Sequence, residues 1–124
     1  MYTVIRFLGT NENKNALSAL GEQLNELIPG SYSSVSEEEP IRFNVSVSHS
    51  STWTEHLSEI MEFLDRAAPV LEAARREGVV VHADIAVEPA DRHGRVLPCF
   101  SLGVEHLRNL ANQGVSVEFS IYPG

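Results

Sequence analysis

The chain has 124 residues, of which 43% are hydrophobic and 21% charged, as in an ordinary globular protein with one core. A net charge of −8 argues against nucleic acid as a partner, because phosphates require basic surfaces. No apolar run approaches the roughly 20 residues of a membrane span, and no signal peptide is visible. The single cysteine, Cys99, excludes an internal disulfide and a CxxC-type zinc site. We therefore expect one cytoplasmic domain over residues 1–124, without a cofactor.

The first half of the chain alternates strand and helix patterns. Residues 2–8 carry apolar side chains on both faces of a predicted strand, which is typical of a central strand. Leucines at helical spacing predict a helix from Lys14 to Leu27. A strict alternation predicts a second strand over residues 41–48, with one buried face and one solvated face that includes Ser48.

The second half continues this alternation. The segment Thr52-Trp53-Thr54-Glu55 has the pattern of a capping box and predicts the start of a helix. Pro69 predicts a break in that helix near residues 65–68, because proline in a helix interior removes a hydrogen bond. A third strand is predicted over residues 79–87 and a fourth over residues 115–122.

The helix between the last two strands is predicted over residues 102–113, with Ser101 as its cap. Its inner side is predicted to consist of Leu102, Leu107, Leu110 and Ala111. The element order is therefore β-α-β-α(α)-β-α-β. Because three of the four strands are half polar, helices on one face of the sheet fit better than helices on both. We predict an α+β two-layer sandwich with a four-stranded mixed sheet.

One candidate for chemistry is a pair of polar residues on the third predicted strand. His82 and Asp84 are two residues apart and therefore project from the same face. A histidine beside a carboxylate can act as a general base or contribute to a metal site. No third ligand or nucleophile stands at a fixed spacing, and motifs such as HExxH, GxSxG and GxGxxG are absent. This favours the interpretation that His82 and Asp84 are solvated side chains on the open face of the sheet. The alternative is an enzyme whose site on this face consists of His82, Asp84 and Tyr122.

A second candidate is the concentration of negative charge in two groups of glutamates. One group precedes the second strand and the other follows one face of the next helix: Glu37, Glu38 and Glu39, and Glu55, Glu59 and Glu62. Such groups are either solvated surface or a surface that attracts a basic protein. Trp53 stands beside the helical group, and we interpret it as a core anchor, with an interface contact as the alternative.

The residues from about 45 to 122 include several structural motifs that occur together. They comprise the helix start Trp53-Thr54-Glu55-His56-Leu57, the strand Val79–Ile85 and the closing segment Val115–Tyr122. In these motifs the chain resembles a family of small, functionally uncharacterised bacterial proteins. Families of this kind occur beside polymorphic and contact-dependent toxins, and their members look like immunity proteins that bind and block a cognate toxin. The resemblance implies no catalytic residue.

Many such toxins are nucleases, whose active sites are basic because they hold phosphates, and an acidic domain can occupy such a site. We therefore expect an immunity-type protein that binds a basic toxin through the six glutamates. Two alternatives stay open. One is the enzyme that uses His82 and Asp84, and the other is a homodimeric structural domain that pairs through an edge strand or an open sheet face.

Overall fold

A computed structural model describes residues 1–89 and 100–122 of the chain, and Cys99 lies outside these residues. The strands and α-helices follow the predicted order and have these bounds: β1 (Tyr2–Gly9), α1 (Lys14–Leu27), β2 (Ile41–Ser48), α2 (Trp53–Arg66), α3 (Ala68–Arg76), β3 (Val80–Val87), α4 (Val104–Asn112) and β4 (Val115–Ile121). A short 3-10 turn at Asn11–Asn13 precedes α1.

The four strands form one mixed sheet in the order β2-β1-β3-β4. The central strand β1 pairs antiparallel with both β2 and β3, whereas β3 and β4 are parallel. The α+β class, the mixed sheet and the central position of β1 confirm the predictions. Strands β2 and β4 are the two edges of the described sheet.

The core lies between the sheet and the helices. Alternate residues of the strands, among them Ile5, Phe7, Val45 and Ala83, are buried on one face of the sheet. Each helix contributes apolar side chains to the same core: Leu17, Leu20 and Leu24 from α1, Ile60 and Leu64 from α2, Val70, Leu71 and Ala74 from α3, and Leu110 from α4. The helices therefore form the second layer of the sandwich.

The alternation of β2 is interrupted close to its end. Thr3 pairs with Ser48, whereas the next residue, Val4, pairs with Ser46. One strand thus has an extra residue, which is a β-bulge, and the side chains beyond it change faces. Ser48 is consequently only 7% exposed, and its predicted place on the solvated face is wrong.

The helical region between β2 and β3 agrees with its prediction. Thr52 caps α2 by accepting a hydrogen bond from the Glu55 N–H at 3.3 Å. Ala67 separates α2 from α3, and Pro69 lies in the first turn of α3, where its missing N–H costs no helical hydrogen bond. Gly78 follows α3 with φ of +73°, the left-handed conformation that favours glycine.

The start and the apolar face of α4 differ from the prediction. The helix begins at Val104 with Gly103 as its N-cap, so Ser101 is not the cap. Of the predicted inner residues, Leu110 is 5% exposed but Leu107 is 50% exposed, and Ala111 is exposed as well. The helix covers the edge strand β4, where only one side of its apolar stripe has core to contact.

This difference predicts unequal effects of the same truncation at two positions of α4. We expect Leu110→Ala to lower the free energy of unfolding by about 2–5 kcal/mol, because it leaves a cavity in the core. Leu107→Ala should lower the free energy of unfolding by less than about 1 kcal/mol, when it is measured at a protein concentration low enough to exclude self-association. Urea unfolding followed by circular dichroism measures both values, and equal losses would contradict the described orientation of α4.

Candidate partner-binding surface

Helix α2 is attached to the sheet by a buried histidine. His56 has 0% exposure, and its Nε2 and Nδ1 atoms are 2.5 Å from Thr3 Oγ1 and 2.8 Å from Ser48 Oγ. The bulge in β2 makes this possible, because it turns Ser48 toward the helix layer. The sequence gives no sign of these contacts, because neither Thr3 nor Ser48 lies at helical spacing from His56. These contacts join the first turn of α2 to β1 and β2.

The opposite side of α2 is a row of exposed carboxylates. Glu55, Glu59, Glu62 and Asp65 follow one another at spacings of four, three and three, which places them along one side of the helix. Ser50 Oγ donates a hydrogen bond to Glu59. Among the ion pairs between described residues, none joins this row to a lysine or an arginine. We call these four residues the acidic row.

The acidic row borders an open groove of about 830 Å³ between α2 and the start of α4. The side of the groove formed by α2 includes apolar side chains, namely Trp53, Leu57 and Met61. Glu62 and Asp65 of the acidic row also line it. The groove therefore places apolar surface directly beside exposed carboxylates.

Trp53 is held at the edge of the core, as the preferred interpretation expects, and the interface contact stays a prediction. Its indole Nε1 donates a hydrogen bond to the Ser101 carbonyl at 2.8 Å. Its ring centroid lies 5.0 Å from that of Phe100 and 6.0 Å from that of Phe119. The half-buried ring thus packs against the edge of the core and also lines the groove.

The other predicted group, Glu37, Glu38 and Glu39, is exposed as expected. Lys14 at the start of α1 forms a salt bridge with Glu37. The hydrogen bond from the Lys14 ammonium lowers the pKa of Glu37, and its positive charge acts in the same direction. One carboxylate of this group is therefore already paired within the chain.

The two groups of glutamates lie at opposite ends of β2. Glu39 lines a depression with Leu8 and Arg42, at the start of the strand, whereas Glu59 lines another with Thr3 and Ser48, at its end. Arg42 and Ser48 are six positions apart, which is about 20 Å of strand. The structure therefore does not bring the six predicted residues into one patch, and Asp65, which the prediction omits, joins the helical group.

The open face of the sheet carries a connected set of polar side chains. Arg6 Nη2 is 3.1 Å from Asp84 Oδ2, and Ser120 donates to the other oxygen of Asp84 at 2.7 Å. His82 is held between Ser116 Oγ, at 2.9 Å from its Nδ1, and Glu118 Oε2, at 3.0 Å from its Nε2. His82 and Asp84 thus share a face, as predicted, but each has partners on neighbouring strands and they are not each other's hydrogen-bond partners among these contacts.

A hydroxyl, a histidine and a carboxylate in contact are the first parts of a nucleophilic site. Acyl transfer also requires free N–H donors that stabilise the developing oxyanion. Strand β3, which carries His82, pairs with β1 on one side and with β4 on the other, so its backbone N–H groups are taken up in two ladders. The described geometry supplies a hydroxyl, a base and its orienting group, and β3 supplies no free N–H donor for an oxyanion.

The described residues contain no group of three or more histidine, cysteine, aspartate or glutamate side chains that could bind a metal ion. No helix among them has the length and apolar character of a membrane span. Comparisons with family descriptions, curated proteins and solved structures found no match to this chain. The family resemblance of the second half therefore stays a hypothesis.

Proposed function

We propose that this protein is an immunity-type binding protein that neutralises a basic toxin, and that it docks this toxin through the acidic row and the adjoining groove. The observation that carries the proposal is the acidic row itself, an exposed line of four carboxylates without a cationic partner among the described ion pairs. Like charges at spacings of three and four repel each other by a few tenths of a kcal/mol per pair. A basic partner removes this repulsion.

The groove supplies the apolar contacts that give an interface its affinity. Exposed charges accelerate association and select the partner, but they add little to affinity. Interfaces gain affinity from aromatic and large apolar side chains at their centre, surrounded by polar groups. The half-buried Trp53 and Met61 provide such a centre beside the buried Leu57. The rim includes Glu62 and Asp65 together with Arg66, whose guanidinium donates to the Leu27 carbonyl. A lysine or arginine side chain fits this combination, since its stem is apolar and its end is charged.

Glu37, Glu38 and Glu39 have a different part in this proposal. They lie at the start of β2, whereas Glu59 lies at its end and Glu62 lies beside Val45 in its middle, so they form a separate group from the acidic row. We assign them a contribution to the overall negative field and no direct contact with the same basic segment.

The experiment tests protection by the chain directly. The protein encoded by the gene immediately beside this one is expressed in bacteria, with and without this chain, and growth is recorded. We expect growth to stop without the chain and to be restored with it, and the two purified proteins to form a 1:1 complex. Growth that is the same in both cultures, or inhibition that the chain does not relieve, contradicts the proposal.

A second candidate function follows from the contacts of His82 with Ser116 and Glu118, which favour a small hydrolase on the open sheet face. Its test is labelling by a fluorophosphonate, which reacts with activated serines. Labelling that is lost in Ser116→Ala and in His82→Ala would support this enzyme. A wild-type chain that is not labelled, or labelling that both substitutions leave unchanged, would contradict it.

A further inference from the structure

Helix α4 exposes an apolar stripe that does not face the core. Val104 is 67% exposed and Leu107 is 50% exposed, and Ala111 is exposed as well. The spacings of three and four residues place the three side chains on one side of the helix. At the far end of the neighbouring strand β4, Ile121 is 51% exposed. Apolar side chains thus follow one border of the molecule.

The same border has a strand edge with which no described strand pairs. The Tyr122 N–H donates to the Val87 carbonyl at 3.0 Å, so the backbone groups of this residue point toward β3. Because this direction alternates along a strand, the N–H and C=O groups of Val117 and Phe119 point away from β3. No strand of the described chain lies on that side. Such an edge is a template for another strand.

We propose that a second copy of this chain covers this border and forms a two-fold symmetric dimer, in which β4 pairs antiparallel with β4 of the second copy. A two-fold interface uses the same surface on both subunits, so each copy must offer a free edge and an apolar helix side together. The border of β4 and α4 offers both. The paired sheets would form one sheet of eight strands, and the two α4 helices would lie side by side above the junction.

The position of the two-fold axis follows from chain geometry. The chain reverses at Gly114, which lies between α4 and β4 and has φ of +70°. Leu107 is seven helical residues before it, about 10 Å away, and three strand residues after it also span about 10 Å. Leu107 is therefore level with Val117. A two-fold axis at Val117 brings Leu107 against Leu107 of the second copy, where each buries the other.

The charges on β4 favour a two-fold axis at Val117 over an axis at the next residue, Glu118. An axis at Glu118 would place Glu118 directly opposite Glu118 of the second copy, and like charges in this arrangement are destabilising. An axis at Val117 places Glu118 opposite Ser116 of the second copy, which avoids this pair of like charges. On the helices, it brings Glu105 into the neighbourhood of Arg108 of the second copy. The register at Val117 is therefore the one that the charges of the two copies favour.

The expected affinity of the dimer follows from the size of the interface that β4 and α4 can form. β4 has seven residues and spans about 23 Å, and α4 adds one helix diameter, about 10 Å. A footprint of this extent, roughly 350 Å² per copy, lies below the range for stable complexes and is typical of a weak, transient dimer. We therefore expect a dimer that dissociates on dilution, with a dissociation constant of about 1–100 μM.

The first experiment measures mass by sedimentation equilibrium over this concentration range. The wild-type chain should shift from the chain mass of 13.7 kDa to twice that mass as its concentration rises. Leu107→Glu should remain at the chain mass with an unchanged circular dichroism spectrum. Leu27→Glu is the matched control, because Leu27 is also an exposed leucine but lies on α1, and this variant should dimerise like the wild type.

The second experiment reads the strand pairing itself by amide hydrogen exchange. In the dimer, the Val117 and Phe119 amides should exchange slowly, and in Leu107→Glu they should exchange fast. The Glu118 and Ser120 amides face β3 and should be protected in both proteins, which makes them an internal control. A wild-type chain that stays monomeric over the whole concentration range overturns the proposal. A dimer with fast exchange at Val117 and Phe119, or one that survives Leu107→Glu, overturns it as well.

Discussion

Reversing Glu55, Glu59 and Glu62 to lysine should slow association with the toxin by about 10- to 1000-fold at low salt, the range that electrostatic steering covers. The three side chains are exposed and make no salt bridge among the described ion pairs, so their loss leaves the core intact. Association is measured by stopped-flow or surface plasmon resonance with the protein of the adjacent gene, at two salt concentrations.

The structure offers a control with the same change in charge. Reversing Glu37, Glu38 and Glu39 to lysine also changes the net charge from −8 to −2. If the acidic row forms the contact, this control should retain most of the association rate, and the row variant should not. Equal slowing of both variants would mean that only the overall charge attracts the toxin.

The salt dependence of the association rate distinguishes long-range electrostatic attraction from direct contact in the same experiment. Exposed charges are screened over about 8 Å at physiological ionic strength, so the wild-type association rate should fall as salt rises. The row variant should show little of this dependence, whereas the Glu37–Glu39 variant should keep it. A row variant that folds normally and associates at the wild-type rate removes α2 from the interface.

The sequence predicted the elements well where one physical pattern acts alone. The bounds of β2 follow from a strict alternation, and those of α1 follow from leucines at helical spacing. The break before Pro69 follows from the chemistry of proline itself. In each case a local rule decides the structure, and tertiary packing agrees with it.

The prediction failed for side chains whose burial depends on a neighbouring strand or on the edge of the sheet. Ser48 is buried because the register of β2 against β1 shifts by one residue, and no pattern within β2 shows this shift. Leu107 fits the helical stripe of α4 but is exposed, because α4 lies over an edge strand with core on one side only. Periodicity shows that a face is apolar without showing what covers it.

The candidate site was predictable only in part, for the same reason. The spacing along α2 correctly places Glu55, Glu59 and Glu62 on one exposed side. That Glu37–Glu39 lie at the other end of β2 depends on strand direction, which separates two groups that are close in sequence. The groove beside Trp53 combines α2 with the residues before α4, almost fifty positions later, and no local pattern connects them.

His56 joins the first turn of α2, and with it the acidic row, to β1 and β2. We expect His56→Ala to lower the free energy of unfolding by about 3–5 kcal/mol. The change opens a cavity at a fully buried position and leaves the Thr3 and Ser48 hydroxyls without their histidine partner, and each unsatisfied buried group costs about 1–3 kcal/mol. The sum stays below the separate contributions, because the two hydroxyls can rotate toward other acceptors.

The matched control for this prediction is His106→Ala in the first turn of α4. His106 is half-buried, and its Nδ1 accepts one hydrogen bond from the Gly103 N–H at 3.3 Å, so its loss should cost less than about 1 kcal/mol. Urea unfolding followed by circular dichroism compares the two variants. A His56→Ala variant as stable as His106→Ala would show that the contacts with Thr3 and Ser48 do not hold α2 in place. A large loss, with toxin association weakened in the fraction that remains folded, would show that the buried histidine positions the acidic row.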